Sequence, residues 1–269
     1  MRSSRGGRAR ARPLPGSLVL LLALAPPAAN AQTLVSDLEP ERPIALEDAR
    51  PVAYRAFAAA VDWTYNVRSR GGSDDMGPGF SLLYGAARGL EVGGALRYVT
   101  RPGRNALRGI TSGDLEVHAL YALLSESARW PAVALRAGVL FPTGLDSRGT
   151  DLLLTALVTR SFDAFRLHGN LRWMRLGDTL ASERAERLDA AVGFDFLPSR
   201  RGSTDTLILA GAAVRSSPVR DGDVIVDLEA GIRQRIGMQT FFFGGAGSEL
   251  TGEKDRVRLR LRAGLSHVF

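Results

Sequence analysis

From residue 52 onward, apolar and polar positions alternate with a period of two, the spacing of a strand whose faces meet different surroundings. Phe57, Ala59, Val61, Trp63, Tyr65 and Val67 fall on one face, and Ala58, Ala60, Asp62, Thr64 and Asn66 on the other. The same rhythm predicts strands over Phe80–Ala87, Leu90–Tyr98, Leu115–Leu123, Val133–Phe141, Leu152–Thr159 and Phe165–Trp173. It continues over Leu188–Phe196, Thr206–Val214, Val224–Arg235, Met238–Ala246 and Val257–Phe269, giving about twelve strands. Thr206–Val214 and Met238–Ala246 read ambiguously.

A soluble sandwich of this size would bury some strands on both faces, whereas here nearly every strand keeps one charged or small face. Strands of about ten residues also match a tilted span of a bilayer. The links alternate in length, as outer-membrane barrels require. Arg88-Gly89, 160–164 and Ile236-Gly237 are short, while 66–79, 100–113 and 176–186 are longer and rich in Gly, Asp, Arg and Ser. The link 197–205 departs from this rule, being long where a short one is due. The last strand places Val257, Leu259, Leu261, Ala263, Leu265, His267 and Phe269 on one face and Arg256, Arg258, Arg260 and Arg262 on the other. Lipid does not accept four guanidinium groups, so the arginine face points to the lumen or the rim. The terminal Phe269 resembles the signal that such barrels present to their assembly machinery. In hydrocarbon only helices and closed barrels satisfy every backbone group, and nothing after residue 31 has the apolar length of a spanning helix. The fold expected for 52–269 is therefore all-β, an up-and-down antiparallel transmembrane β-barrel.

Charge alters this picture less than the formal +7 suggests. Arg2, Arg5, Arg8, Arg10 and Arg12 precede the apolar run 18–25 and the small-residue site Ala29-Asn30-Ala31. That order is a secretory signal peptide over 1–31, too short in its apolar part to anchor in a membrane. Without those five arginines, 30 basic residues face 28 acidic ones, and nucleic acid is no longer an expected partner. The chain has no Cys, which excludes a disulfide scaffold, a thiolate zinc site, an iron–sulfur centre and a Cys nucleophile. Residues 32–51 hold Pro40, Pro43 and Pro51 among mixed charges, and read as a solvated periplasmic segment in preference to a small plug folded into the pore.

Several short motifs carry a family likeness: Ser112-Gly113-Asp114-Leu115-Glu116-Val117, the run Trp130 to Gly138, Phe141-Pro142-Thr143-Gly144, and Gly149-Thr150-Asp151. Over about residues 112 to 175 the chain resembles the outer-membrane proteins grouped with the meta-pathway of phenol degradation, often labelled transporters. The resemblance implies a small barrel that admits hydrophobic or aromatic compounds.

The candidate lumen-lining residues are Arg166, His168 and Arg172 on one strand, Asp227, Glu229, Arg233 and Arg235 on another, and Arg258, Arg260 and Arg262 on the last. Buried charges must pair, so a salt-bridged lining that stiffens the barrel is the first reading and a selectivity lining the second. His118, His168 and His267 lack metal-ligand spacing, and His168 with Asn170 has no Ser in a nucleophile motif beside it. Neither an enzyme, a metal nor a cofactor is expected. Gly244, Gly245 and Gly247 lack the Lys and the helix of a phosphate loop, and read as bends or close approaches. The expected task is passage or uptake of small solutes across the bacterial outer membrane. The alternatives are a non-transporting structural or binding barrel and, last, an outer-membrane hydrolase.

Overall fold

The structure is a computed structural model that describes residues 37–39, 42–69, 74–100, 110–144, 148–198, 205–252 and 256–269. The leader expected over 1–31 lies outside the described residues. Thirteen strand segments follow in order: β1 Phe57–Arg68, β2 Asp75–Ala87, β3 Leu90–Thr100, β4 Ile110–Ser112, β5 Leu115–Leu124, β6 Ala132–Phe141, β7 Asp151–Ser161, β8 Phe165–Arg175, β9 Glu186–Phe196, β10 Thr206–Arg215, β11 Ile225–Arg235, β12 Thr240–Glu249 and β13 Val257–Val268. Both β4 and β5 pair with β3, so they form one stave interrupted at Gly113-Asp114. Each stave is antiparallel to the next, and β13 returns to β1 with Val61 opposite Leu265 and Trp63 opposite Ala263. The result is a closed barrel of twelve staves with no free edge.

The two faces sort as the alternation requires. Val61, Trp63, Phe80, Leu82, Leu135, Leu154, Leu171, Val192, Leu228 and Leu261 stand exposed on the outside, while Asp62, Glu91, His118, Arg136, Arg166, Asp195, Asp227 and Arg233 are buried on the inside. Such an outer surface is a liability in water and a match for acyl chains. Trp63 and Trp130 are exposed by 47% and 60%. Brominated lipids should therefore quench about half or more of the tryptophan emission of the reconstituted protein; emission that bromine leaves unchanged would contradict the outward assignment.

The end at which β1 starts and β13 finishes also carries the links 88–89, 162–164 and 236–239, and is called here the short-turn end. The seven-residue link between β5 and β6 is folded against β7. Glu126 accepts bonds from the N–H and the hydroxyl of Ser161, and Arg160 donates to the carbonyls of Ser127, Ala128 and Trp130. At the opposite end, the first long link is shorter than the sequence rhythm implied, because β2 already begins at Asp75.

The interior is not uniformly polar. Leu207 and Leu209 of β10 and Phe241 and Phe243 of β12 all point inward and are fully buried. This is why those two strands are hard to read from alternation: both faces are apolar. A cluster inside the short-turn half joins Leu38, Ile44, Leu46, Ala56, Ala58, Leu83, Leu207, Leu209, Phe241 and Val268. A smaller one joins Ala49, Leu120, Ala132, Ala134 and Leu157. The lower barrel therefore has an ordinary packed core, part of it supplied by the chain that precedes β1.

Candidate functional site: the occupied lumen

Residues 37–39 and 42–51, expected from their polarity and prolines to be solvated, run through the inside of the barrel. Arg42, Pro43, Ile44, Leu46, Glu47, Asp48 and Ala49 are buried there. The correction has a physical reason. Glu39, Arg42, Glu47 and Asp48, which make the segment look soluble, each meet an opposite charge on the wall. Its few apolar residues fill slots left by missing side chains.

Two such slots are visible. A Cβ on Gly193 of β9 would lie 2.2 Å from Leu46 Cδ1, and one on Gly211 of β10 would lie 3.0 Å from the same atom. A Cβ on Gly231 of β11 would lie 2.8 Å from Pro43 Cγ, and one on Gly245 of β12 would lie 2.6 Å from the Pro43 carbonyl oxygen. Gly193 pairs with Gly211 across the sheet, and Gly231 with Gly245. Glycine in mid-strand weakens a sheet, and here it makes room for another backbone.

The charges are matched around the circumference. Arg42 Nε bonds Asp62 of β1 at 2.7 Å and its Nη1 donates to Ser81 of β2 at 2.6 Å. Glu47 faces Arg136 of β6 at 3.1 Å, and Asp48 faces Arg166 of β8 at 3.4 Å. Arg233 of β11 donates to the Asp37 carbonyl at 2.6 Å, pairs with Glu39 at 3.4 Å, and lies 4.5 Å over the Phe241 ring. Burial pushes the Glu47 carboxyl up to about 7 against the opposing pull of Arg136. The Asp48 carboxyl is likewise raised by burial, with Arg166 working against it.

Residues 37–39 and 49–53 both lie by Ala58, Leu83 and Val268 at the short-turn end, and Arg42–Leu46 forms the bend between them. The segment is thus a loop pushed into the barrel from that end, a plug with both limbs on one side. It separates two cavities. Above it is a vestibule of about 310 Å³, with Ala45, Leu46 and Glu47 as its floor and Asp62, Asn170, Arg172, Arg215, Arg260 and Arg262 among its walls. Below it is a space of about 250 Å³ against Leu83, Glu91 and Leu120. Glu47 lines both, so it stands in the partition.

The residues singled out in the sequence divide between these levels. Arg172, Glu229, Arg260 and Arg262 line the vestibule. Arg260 binds Asp227 at 3.1 Å and Glu229 at 2.6 Å and reaches Glu249 at 3.5 Å; Arg215 also pairs with Asp227 and Glu249. Arg262 Nε donates to Thr64 at 3.1 Å. Arg258 is exposed at the long-loop end of β13. Arg235 lies near the short-turn end, 3.9 Å from Asp205 and 5.7 Å from the Phe241 ring centroid. Arg166, His168 and Arg233 are buried beside the plug. His168 does not act with Asn170: its Nε2 contacts Asp195 at 2.8 Å and its Nδ1 contacts Thr159 at 3.1 Å, while Asn170 is held by the plug backbone. His267 contacts the Thr240 hydroxyl at 2.7 Å and stacks edge-on with Phe269. Among the described residues, no group of three His, Cys, Asp or Glu side chains is arranged to hold a metal ion. Sequence reasoning missed Asp62, Glu91, Arg136 and Asp195. Each lies on the inward parity of its strand; asking what the chain before β1 would pair with points to Asp62, Arg136 and Glu91, which meet Arg42, Glu47 and the Val52 N–H, whereas Asp195 serves Arg166 and His168 of the wall.

No protein-family model and no curated protein matches the chain. Solved structures do resemble it in fold. An outer membrane channel from Pseudomonas putida F1 is 14% identical with a TM-score of 0.64, over 82% of this chain and 98% of that one. The KdgM porin is 10% identical with a TM-score of 0.53, over 78% and 99%. The NanC porin is 14% identical with a TM-score of 0.53, over 77% and 98%.

Proposed function

We propose that this chain is an outer-membrane channel for small solutes whose conductance is set by residues 37–39 and 42–51, the segment seated in its lumen. The observation that carries the reading is the partition itself: two cavities on one axis, separated by a segment continuous with the wall only at its end before β1. A barrel built only as a scaffold could fill its interior with side chains from its own staves. This one instead clears glycine slots for a separate piece of chain. The likeness to porin and channel folds supports a passage role, as does the charged vestibule. The short-turn end is then the periplasmic side, Phe269 the assembly signal, and the bilayer lipid and the assembly machinery the partners. Hydrophobic or aromatic solutes are the finer expectation, and they rest on the short motifs between residues 112 and 175.

Planar-bilayer recording tests the reading. The native protein should show low, intermittent conductance that rises when the plug is destabilised; a barrel that passes no ions with the plug displaced would overturn it. Selectivity offers a separate check. Arg260 neutralises Asp227, Glu229 and Glu249 on one side of the vestibule. Arg260→Gln should shift the open channel toward cations, by about threefold or more in permeability ratio, because rings of acidic side chains favour cations. An unchanged ratio would place Arg260 away from the ion path.

A further inference from the structure

The bonds that hold the plug follow a pattern that a simple stopper does not need. The plug bends at residues 43–45, where the Leu46 N–H bonds back to the Ile44 C=O at 2.8 Å, and runs on through Leu46–Asp48 to a second bend at Ala49. Ala45, Glu47 and Ala49 are alternate residues, and each N–H ends on a side chain of the wall: Glu229 of β11, Asn170 of β8 and Thr159 of β7. Asn170 engages Glu47 twice, its Oδ1 accepting the N–H at 3.1 Å and its Nδ2 donating to the C=O at 2.9 Å. A primary amide bonded both ways to one residue stands in for the edge of a neighbouring strand. Farther along, the Val52 N–H reaches Glu91 of β3 at 2.8 Å.

Side chains add specificity to this main-chain recognition. Leu46 occupies the Gly193–Gly211 slot, and the carboxylates of Glu47 and Asp48 meet Arg136 and Arg166. The wall therefore recognises backbone amides at every second residue, one branched apolar side chain, and two acids directly after it. Peptide-binding grooves elsewhere use the same division of labour, with main-chain bonds for affinity and pockets for identity. A neutral saccharide or a simple aromatic would not supply the two carboxylates that Arg136 and Arg166 take from the plug, and an acidic saccharide would not supply the backbone N–H groups that Asn170, Thr159 and Glu229 accept.

We propose that the lumenal face of β6–β11 is a binding track for a short acidic peptide segment, of which residues 45–49 are the resident occupant. This rests on the reading of residues 37–39 and 42–51 as a removable plug, and it names such peptides as a solute class for the same channel.

The probe is a fluorescently labelled peptide with the sequence of residues 44–49, whose only charges are the carboxylates of Glu47 and Asp48, blocked at both ends and offered to the full-length protein and to its Leu46→Arg variant in detergent. Binding is read by anisotropy, and ion conductance is recorded separately. The variant, whose track is vacated, should bind the peptide at least tenfold more tightly than the native protein does. A scrambled peptide of the same composition should bind at least tenfold more weakly. Thr159→Val added to the variant should weaken binding by about tenfold, the worth of one buried hydrogen bond left unmade, and Asn170→Leu, which removes two, by more than that. Equal binding of the scrambled peptide, or no binding to either protein up to about 1 mM, overturns the track. If the variant binds the peptide and passes no ions, the channel reading fails and the track stands. If it conducts and neither protein binds the peptide, the track fails and the channel reading stands.

Discussion

Replacing Leu46 by Arg is expected to turn an intermittently conducting barrel into one that stays open. Leu46 is 2% exposed, and its Cδ1 occupies the space in which a side chain on Gly193 or Gly211 would otherwise lie. A guanidinium in that slot finds no room, and Glu229, the carboxylate lining the same space, is already paired with Arg260; a buried charge without a counterion of its own costs about 3–5 kcal/mol. At about 1.4 kcal/mol per factor of ten, the docked-to-undocked ratio falls by a factor of about one hundred to several thousand. Leu46→Ala provides the graded comparison. It loses about 2 kcal/mol of packing and transfer energy, the low end of such truncations because the plug can settle into the gap, and should open the channel roughly thirtyfold. Slow gel migration after boiling, against fast migration without it, would show that the variant barrel still closes. A Leu46→Arg channel as quiet as the native one would remove the plug from the account of conductance.

The legible and illegible parts of this molecule divide along a physical line. A strand with lipid on one side and charge on the other carries its assignment in its own residues, so most of the staves could be placed from alternation alone. Thr206–Arg215 and Thr240–Glu249 resisted because Leu207, Leu209, Phe241 and Phe243 face a dry interior that no single strand announces. The plug was harder still. Arg42, Glu47 and Asp48 look like a solvated tail, and only their partners Asp62, Arg136 and Arg166, distant in sequence, make burial tolerable. The signal was present in another place: Gly193, Gly211, Gly231 and Gly245 sit on inward positions, where a barrel filling its own lumen would carry side chains. Likewise Arg166 and His168 could be placed inside from parity, but that they meet the plug at Asp48 and, through Thr159 of β7, at Ala49 could not, because height along the axis depends on how the plug enters.

The partition residue gives the second large effect, and it depends on pH. Glu47 is surrounded by Arg136, Glu91, Arg172 and His118, and burial outweighs their combined influence, so its carboxyl binds a proton up to about pH 7 when docked and to about 4.5 when free. Because the docked plug holds its proton more tightly, docking is strongest below about 4.5 and weakens as pH rises through about 7. Arg136 is the largest of the influences that favour the charged carboxylate. Arg136→Met leaves that carboxylate buried without its counterion, a loss of about 3–5 kcal/mol once Glu47 is ionised. At pH 8, about one unit above the native docked value, a Glu47 without its counterion takes up a proton instead of staying charged, so this variant should leak up to about tenfold more than native protein, and at pH 5, where a proton neutralises Glu47 in both, the leak should largely vanish. Adding Glu47→Leu removes the charge altogether, and buried pairs can be replaced by apolar residues at little cost. The double variant should therefore be quiet at both pH values, although Glu47→Leu alone leaves Arg136 with only Glu116, 3.5 Å away. The four conductances form a double-mutant cycle whose coupling isolates the pair. A double variant that leaks at pH 8 as freely as Arg136→Met would mean that Arg136 shapes the lumen without holding the plug, and a leak indifferent to pH would detach Glu47 from the partition.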